Sequence, residues 1–202
     1  MIDAQSPVAN AGFANPVPEA QSVFRAVMAA LARPGKIVPI ATSLAAPEQL
    51  PTALAAIALT LADYETPLWL DDGLARDAEF QSFLAFQTGA PVTRRASEAA
   101  LAFCLDAAEL PRLDGFAQGT LEYPDRSTTI VAAVESLTDG EAMVIAGPGV
   151  NGSETIAPTP LPTDFRRQMR LNRGQFPCGI DLILVADDRI LGLPRTVEIM
   201  EP

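Results

Sequence analysis

The chain is expected to be an α/β protein: a mixed β-sheet flanked by helices in three layers. Three observations predict this. Segments with apolar residues three and four apart alternate with short apolar runs of strand character. Two such runs are joined by an Asp-Gly turn, the signal of an antiparallel hairpin. And 202 residues at 49% hydrophobic composition suffice to bury a full core. The expected organisation is a flexible arm over residues 1–17 and a single domain over 18–202.

Residues 1–17, rich in Ala, Asn, Pro and Gly, show no periodicity and are ordered only if something holds them. From Pro18, the residues Val23, Phe24, Val27, Met28 and Leu31 fall on one helical stripe, which Arg33-Pro34-Gly35 stops. Lys36–Ile40 reads as a short extended piece at a sheet edge, where proline is tolerated. Thr52–Asp63 is apolar nearly all round, the pattern of a helix buried against a sheet. Pro67–Leu70 reads as a strand running into the turn Asp71-Asp72-Gly73, and Asp77–Gln87 as a helix ended by Gly89. Leu101–Leu105 follows as a strand and Asp106–Gln118 as a loop.

Thr128–Leu137 and Ala142–Ala146, joined by Thr138-Asp139-Gly140-Glu141, are the expected hairpin. Two polar, glycine-rich approaches flank it, Gly119–Arg126 before and Gly147-Pro148-Gly149 after. Asn151–Pro162 is irregular and carries three prolines. Thr163 is placed to cap a helix with Phe165, Met169 and Leu171 as its apolar positions. That helix is the most basic segment, with Arg166, Arg167, Arg170 and, just past it, Arg173. Ile180–Ala186 is a strand, Asp187-Asp188-Arg189 a turn and Arg195–Met200 a last short strand.

Composition excludes several functions. A formal net charge of -11 opposes nucleic-acid binding, which is built from phosphate neutralisation by Lys and Arg. No apolar run approaches the roughly 20 residues of a membrane span, and the N-terminus lacks the basic and apolar parts of a signal peptide. A soluble, cytoplasmic protein is expected. Cys104 and Cys178 read as two buried, reduced thiols, and two Cys without any His cannot make a zinc site. The absence of histidine removes Ser-His-Asp and Cys-His catalysis. Acid-base work is left to carboxylates, Tyr, Cys or the single lysine, Lys36.

Five motifs occur in order: Phe24-Arg25 through Met28 and Leu31 to Arg33-Pro34-Gly35; Gly119-Thr120-Leu121-Glu122-Tyr123-Pro124; Gly147-Pro148-Gly149; Phe176-Pro177-Cys178-Gly179-Ile180-Asp181; and Leu193-Pro194-Arg195-Thr196. The series resembles the H subunit of the bacterial carbon–phosphorus lyase system, which degrades phosphonates. That resemblance implies the fold of the large domain of type I pyridoxal-phosphate transferases without the cofactor, a homodimer, and a place beside the G, I and J subunits in a core complex. The complex would displace adenine from MgATP by an alkylphosphonate, giving ribose 1-phosphonate 5-triphosphate, with MgATP a substrate of the whole complex only. The resemblance assigns this chemistry to the I subunit and leaves this chain an accessory role with no catalytic residue. Pyridoxal phosphate needs a lysine for its aldimine. Lys36, early in the chain and after a Pro-Gly stop, is not where that fold family places one, and reads as a solvated surface residue.

The residues leave site assignments open. Glu122, Tyr123, Asp125 and Arg126 suit a polar site in which Arg126 binds a phosphate or phosphonate oxygen and a carboxylate acts as base; they equally suit a turn and a dimer or partner surface. Gly147 and Gly149 can present N–H groups to an anion or simply supply positive φ. Arg166, Arg167, Arg170 and Arg173 can dock an acidic partner or a triphosphate, or form a solvated face. Asp181 is a ligand group or a turn residue, and Arg195 an anion ligand or a salt-bridge partner. Asp71-Asp72 and Asp187-Asp188 read as turns rather than Mg²⁺ sites, so no metal is expected. The leading expectation is the accessory subunit; a stand-alone transferase or hydrolase using Glu122, Asp125 and Arg126, and a module that presents phosphonate or nucleotide to a partner, are its rivals.

Overall fold

The computed structural model describes residues 12–47 and 50–200. Seven strands make a mixed sheet: β1 (Ile37–Pro39), β2 (Leu68–Leu70), β3 (Val92–Thr93), β4 (Leu101–Cys104), β5 (Thr129–Ala133), and the later strands β8 (Asp181–Ala186) and β9 (Arg189–Leu193). Their order is β1-β9-β8-β5-β4-β2-β3. The pairings from β8 through β3 are parallel, while β9 pairs antiparallel with both β8 and β1. As expected, the proline-bearing β1 lies at an edge.

Alternation along the strands sends successive side chains to opposite faces and creates two cores. Leu101, Phe103, Val131, Ile183, Val185 and Ile190 face one layer: the helices α1 (Pro16–Ala32), α2 (Thr52–Leu61), α3 (Asp72–Arg76) and α4 (Ala78–Thr88). Ala102, Cys104, Ile130, Leu182, Leu184 and Leu191 face the other. That second layer holds α5 (Phe165–Gly174) and a small antiparallel sheet of β6 (Met143–Ala146), β7 (Glu154–Ile156) and β10 (Glu198–Ile199), in the order β10-β6-β7. The domain is therefore a three-layer α/β structure in which one flank is part helix and part sheet.

The expected hairpin does not form. β5 is buried from Ile130 to Ala133, and β4 and β8 occupy both of its edges in parallel register. β6 instead alternates buried and exposed residues and pairs with β7 and β10. The Asp139-Gly140 segment does bend the chain, but toward the segment before α5: Gly140 N–H donates to the Ala157 carbonyl at 2.7 Å. The hairpin of the large sheet is β8–β9, turned by Asp187 and Asp188, with Asp187 at φ +52°.

Other expectations shift more modestly. α1 begins at Pro16 rather than Pro18, and Gly12 bridges to Ala45; residues 1–11, the rest of the expected arm, lie outside the described residues. Glu19 ties α1 to the loop after β1. Its carboxylate accepts from Thr42 Oγ1 (2.7 Å), Ser43 N (2.9 Å) and Asn15 N (2.8 Å). Asp71 N-caps α3 where a plain turn was expected. At α5 the N-cap position is held by Asp164 rather than Thr163, and its carboxylate accepts from the Gln168 amide (2.6 Å) instead of capping N–H groups. Leu171 is half exposed; Gln168 and Asn172 take buried positions beside Phe165 and Met169. Arg189 opens β9 instead of closing a turn, and the last strand shortens to Glu198–Ile199.

Candidate functional site

Arg195 follows β9 and joins several of the residues singled out above. Its backbone N–H donates to Asp181 Oδ1 (2.8 Å), at the start of β8. Its guanidinium meets the same carboxylate through Nε (3.2 Å) and Nη2 (2.6 Å). Nη1 donates to the carbonyls of Pro124 (2.7 Å) and Pro177 (3.3 Å), and Nη2 also reaches Ser127 Oγ. A guanidinium has five N–H donors, and all five are spent within the protein. Arg195 is thus the salt-bridge partner of Asp181 and the clamp of two loops, with no donor left for an anion.

The clamp fixes the first glycine-rich approach. Pro124 lies between Tyr123 and Arg126, whose guanidinium stacks over the Tyr123 ring at 4.2 Å. Glu122, Tyr123, Asp125 and Arg126 are all exposed, as is Leu121, so their groups lie on an open surface. A hydrogen bond from Gly179 N–H to the Gln118 carbonyl (2.9 Å) holds the same loop against the turn before β8. From the last turn of α5, Arg173 stacks over Phe176, which is exposed on that turn, at 5.4 Å.

The second approach, Gly147-Pro148-Gly149, is shaped by backbone contact. Gly147 has φ +130°, and a Cβ there would meet the Thr196 carbonyl at 2.7 Å. Gly149 has φ +85°, and its Cβ would overlap the Ala32 carbonyl at the end of α1. Positive φ and close chain approach both require glycine here. Gly147 and the clamped Pro124 loop therefore touch the adjacent residues Thr196 and Arg195.

The arginines of α5 divide. Arg166 is engaged by Glu141 (2.8 Å) and the Ala142 carbonyl (2.8 Å). Arg167 is exposed. Arg170 and Arg173 line a shallow depression of about 500 Å³ with Glu198, Ile199 and Met200. Lys36 is exposed and pairs with Glu154 at 3.0 Å. Both cysteines are free, but only Cys104 is buried; Cys178 is half-buried. Burial, with the nearby Asp71 charge, pushes the Cys104 thiol up to about 12.

Buried polar residues went unnoticed in the sequence. Thr128 donates to the Ala99 carbonyl (2.6 Å) and accepts from Ala117 N–H (3.1 Å). Asn172 brackets Ile180 with two bonds, and Gln168 accepts from Leu113 N–H. Gln168 and Asn172 recur at helical spacing with Phe165 and Met169, the one sequence signal that could have found them. No group of three or more His, Cys, Asp or Glu side chains placed to hold a metal occurs among the described residues. No helix among them is long and apolar enough to cross a membrane.

Comparison with known proteins adds a lineage to this geometry. A 46% identity over 198 residues, 98% of each chain, relates the protein to the alpha-D-ribose 1-methylphosphonate 5-triphosphate synthase subunit PhnH of Rhizobium meliloti (strain 1021). A 30% identity over 183 residues, 90% of this chain and 86% of the relative, links it to the putative C-P lyase subunit protein HtxG of Stutzerimonas stutzeri. The family model described as bacterial phosphonate metabolism protein (PhnH) matches residues 11–200, and the chain belongs to that family.

Proposed function

We propose that the chain is an accessory subunit of the carbon–phosphorus lyase core complex, required for phosphonate activation but carrying no catalytic residue. In the reaction an alkylphosphonate oxygen attacks C1′ of the ribose of MgATP. A C–O bond forms, the bond to N9 breaks, and adenine leaves, giving ribose 1-phosphonate 5-triphosphate. On this reading the chain is a cytoplasmic homodimer that joins the G, I and J subunits, and the I subunit performs the displacement. Its fold is that of the large domain of type I pyridoxal-phosphate transferases, emptied of cofactor.

The observation that carries the proposal is the 98% coverage of a relative named as a synthase subunit. The candidate site agrees with a supporting role: Asp181 and Arg195 satisfy each other, and Glu122, Asp125 and Arg126 stand on an exposed loop. Lys36, the only lysine, pairs with Glu154 on the surface, which disfavours an aldimine.

Reconstitution tests the proposal. The sister subunits are purified with and without this chain, and adenine release from MgATP plus methylphosphonate is followed beside complex size. The expected result is an inert chain that enters the complex and is required for adenine release. Turnover by the isolated chain, or full activity without it, would overturn the proposal.

A further inference from the structure

The turn between β6 and β7, residues 147–153, carries the dipeptide Asn151-Gly152 near its end. Asn151, Gly152 and Ser153 are all exposed. On either side the chain is held. Gly149 lies against the Ala32 carbonyl at the end of α1, Val150 packs on the second core and donates its N–H to the Gly147 carbonyl (3.0 Å), and Glu154 pairs with Lys36 (3.0 Å). The dipeptide itself is held by nothing. Among the described residues neither the Asn151 amide nor the Gly152 N–H has a hydrogen-bond partner, and nothing lies within 4 Å of where a Cβ on Gly152 would stand.

An asparagine in that setting reacts with its own backbone. The nitrogen of the next residue attacks the side-chain carbonyl carbon. A C–N bond forms, the bond to the amide nitrogen breaks, and ammonia leaves with the proton that the attacking nitrogen gives up. Water then opens the five-membered succinimide at either of its carbonyls. One opening gives Asp; the other gives isoaspartate, in which the main chain runs through the side-chain carbons. Both products add one negative charge and so change the electrostatics of the turn. The attack requires a nitrogen not tied up in a hydrogen bond and a following residue without a side chain to block the approach, which is glycine.

Comparable positions each fail a condition. Asn15 precedes Pro16, which has no N–H to give up. Asn172 is buried in α5, and its amide donates to the Ile180 carbonyl (3.0 Å). Asp72-Gly73 lies within α3. In Asp114-Gly115 and Asp139-Gly140 the glycine N–H groups are taken by the carbonyls of Arg112 (3.0 Å) and Ala157 (2.7 Å). We propose that Asn151 is a site of spontaneous modification in the folded chain, converted through a succinimide with Gly152 to Asp and isoaspartate. The turn is then a chemical clock, in which the converted fraction grows with the age of the molecule, and its isoaspartyl form is a substrate for enzymes that methylate the carboxylate of isoaspartyl residues.

The test uses the full, folded chain, incubated at physiological temperature over a series of rising pH, digested with trypsin and weighed against a sample taken at the start. Cleavage after Arg126 and Arg166 releases residues 127–166, which contain one asparagine, Asn151, and no glutamine, so an amide lost from that peptide is lost there. The expected result is progressive loss of the amide, faster as pH rises because the attacking nitrogen must shed its proton, with a product that accepts a methyl group from an isoaspartate methyltransferase. Asn172 should keep its amide in the same samples. Asn151→Gln, whose amide could close only a six-membered ring, should keep its own. An Asn151 amide retained in the folded chain would overturn the proposal. Loss at Asn172 at an equal rate would overturn it too, since the reaction would then belong to unfolded molecules. Conversion to Asp without isoaspartate would replace the succinimide by direct hydrolysis. None of these readings uses adenine release, so the accessory-subunit reading stands or falls separately.

Discussion

Arg195 and Asp181 hold each other with low exposure, 13% and 20% at their side chains. Removing one member of such a pair leaves the other charge without its partner, at a cost of about 3–5 kcal/mol. Urea unfolding of Arg195→Ala should reveal a loss of that size, and Arg195→Lys should recover only part of it, since a lysine cannot fork across two loops. Glu19 supplies a pH dependence. Its hydrogen bond from Thr42, with those from Asn15 and Ser43, holds its carboxyl at about 2, below the ordinary 4.5. A depressed carboxylate contributes stability that is fully present above 4.5 and lost as pH falls toward 2. Melting temperature measured across that window should therefore drop less steeply in Glu19→Gln than in the native chain. Sequence reading isolated both Asp181 and Arg195 but not their pairing. One arginine among 25 acids has too many partners on paper, and only the β8–β9 hairpin selects one.

At the scale of elements, periodicity located α1, α2 and α4, because each has a long segment with a helical apolar pattern. It misjudged the strands around the Asp-Gly turn. A short turn between two apolar runs signals a hairpin only if an edge is free to accept the return strand. β5, buried on both faces, has the sequence of a central parallel strand, and burial is a tertiary fact. β9 was missed for a related reason: its fourth residue is Gly192, which weakens a strand pattern. The glycine is needed because α1 crosses there, and a Cβ would meet the Ala30 carbonyl at 2.5 Å and Leu31 N at 2.8 Å. Gly192→Val should lift α1 from the sheet and cost about 3 kcal/mol, the upper part of the overpacking range. Gly115→Ala, whose Cβ meets nothing within 4 Å, should leave thermal stability nearly unchanged.

For the whole molecule, the three-layer plan was legible from the alternation of helical and strand segments, but the make-up of its second flank was not. β7 and β10 are three and two residues long, too short to leave a pattern. The loop Leu121–Arg126 is legible in the sequence as a polar, glycine-led approach, while its shape depends on Arg195, remote in sequence. Charge is distributed unevenly, with Arg167, Arg170 and Arg173 on α5 in a molecule of net charge -11. If that face docks an acidic sister subunit, Arg167→Glu with Arg170→Glu should weaken assembly by about tenfold or more at low salt, with a steep salt dependence that narrows the gap from the native chain as ionic strength rises. Titration of complex formation at two ionic strengths checks this, and equal binding by variant and native chains would return the face to solvent.

The parallel register of Thr129 with Asp181 also governs how the chain must be made. When β5 leaves the ribosome it can pair with β4 on one side only; its other edge, apolar and open, has to wait until α5 and then β8 have been synthesised. The small sheet waits longer, because β6 sits between β7 and a strand that comes after β9. A nascent chain of this protein therefore carries an unfinished sheet edge through much of its synthesis, the state in which strands recruit wrong partners. Its yield in the cell should depend on the rate of elongation between β5 and β8 and on chaperones that shield that edge.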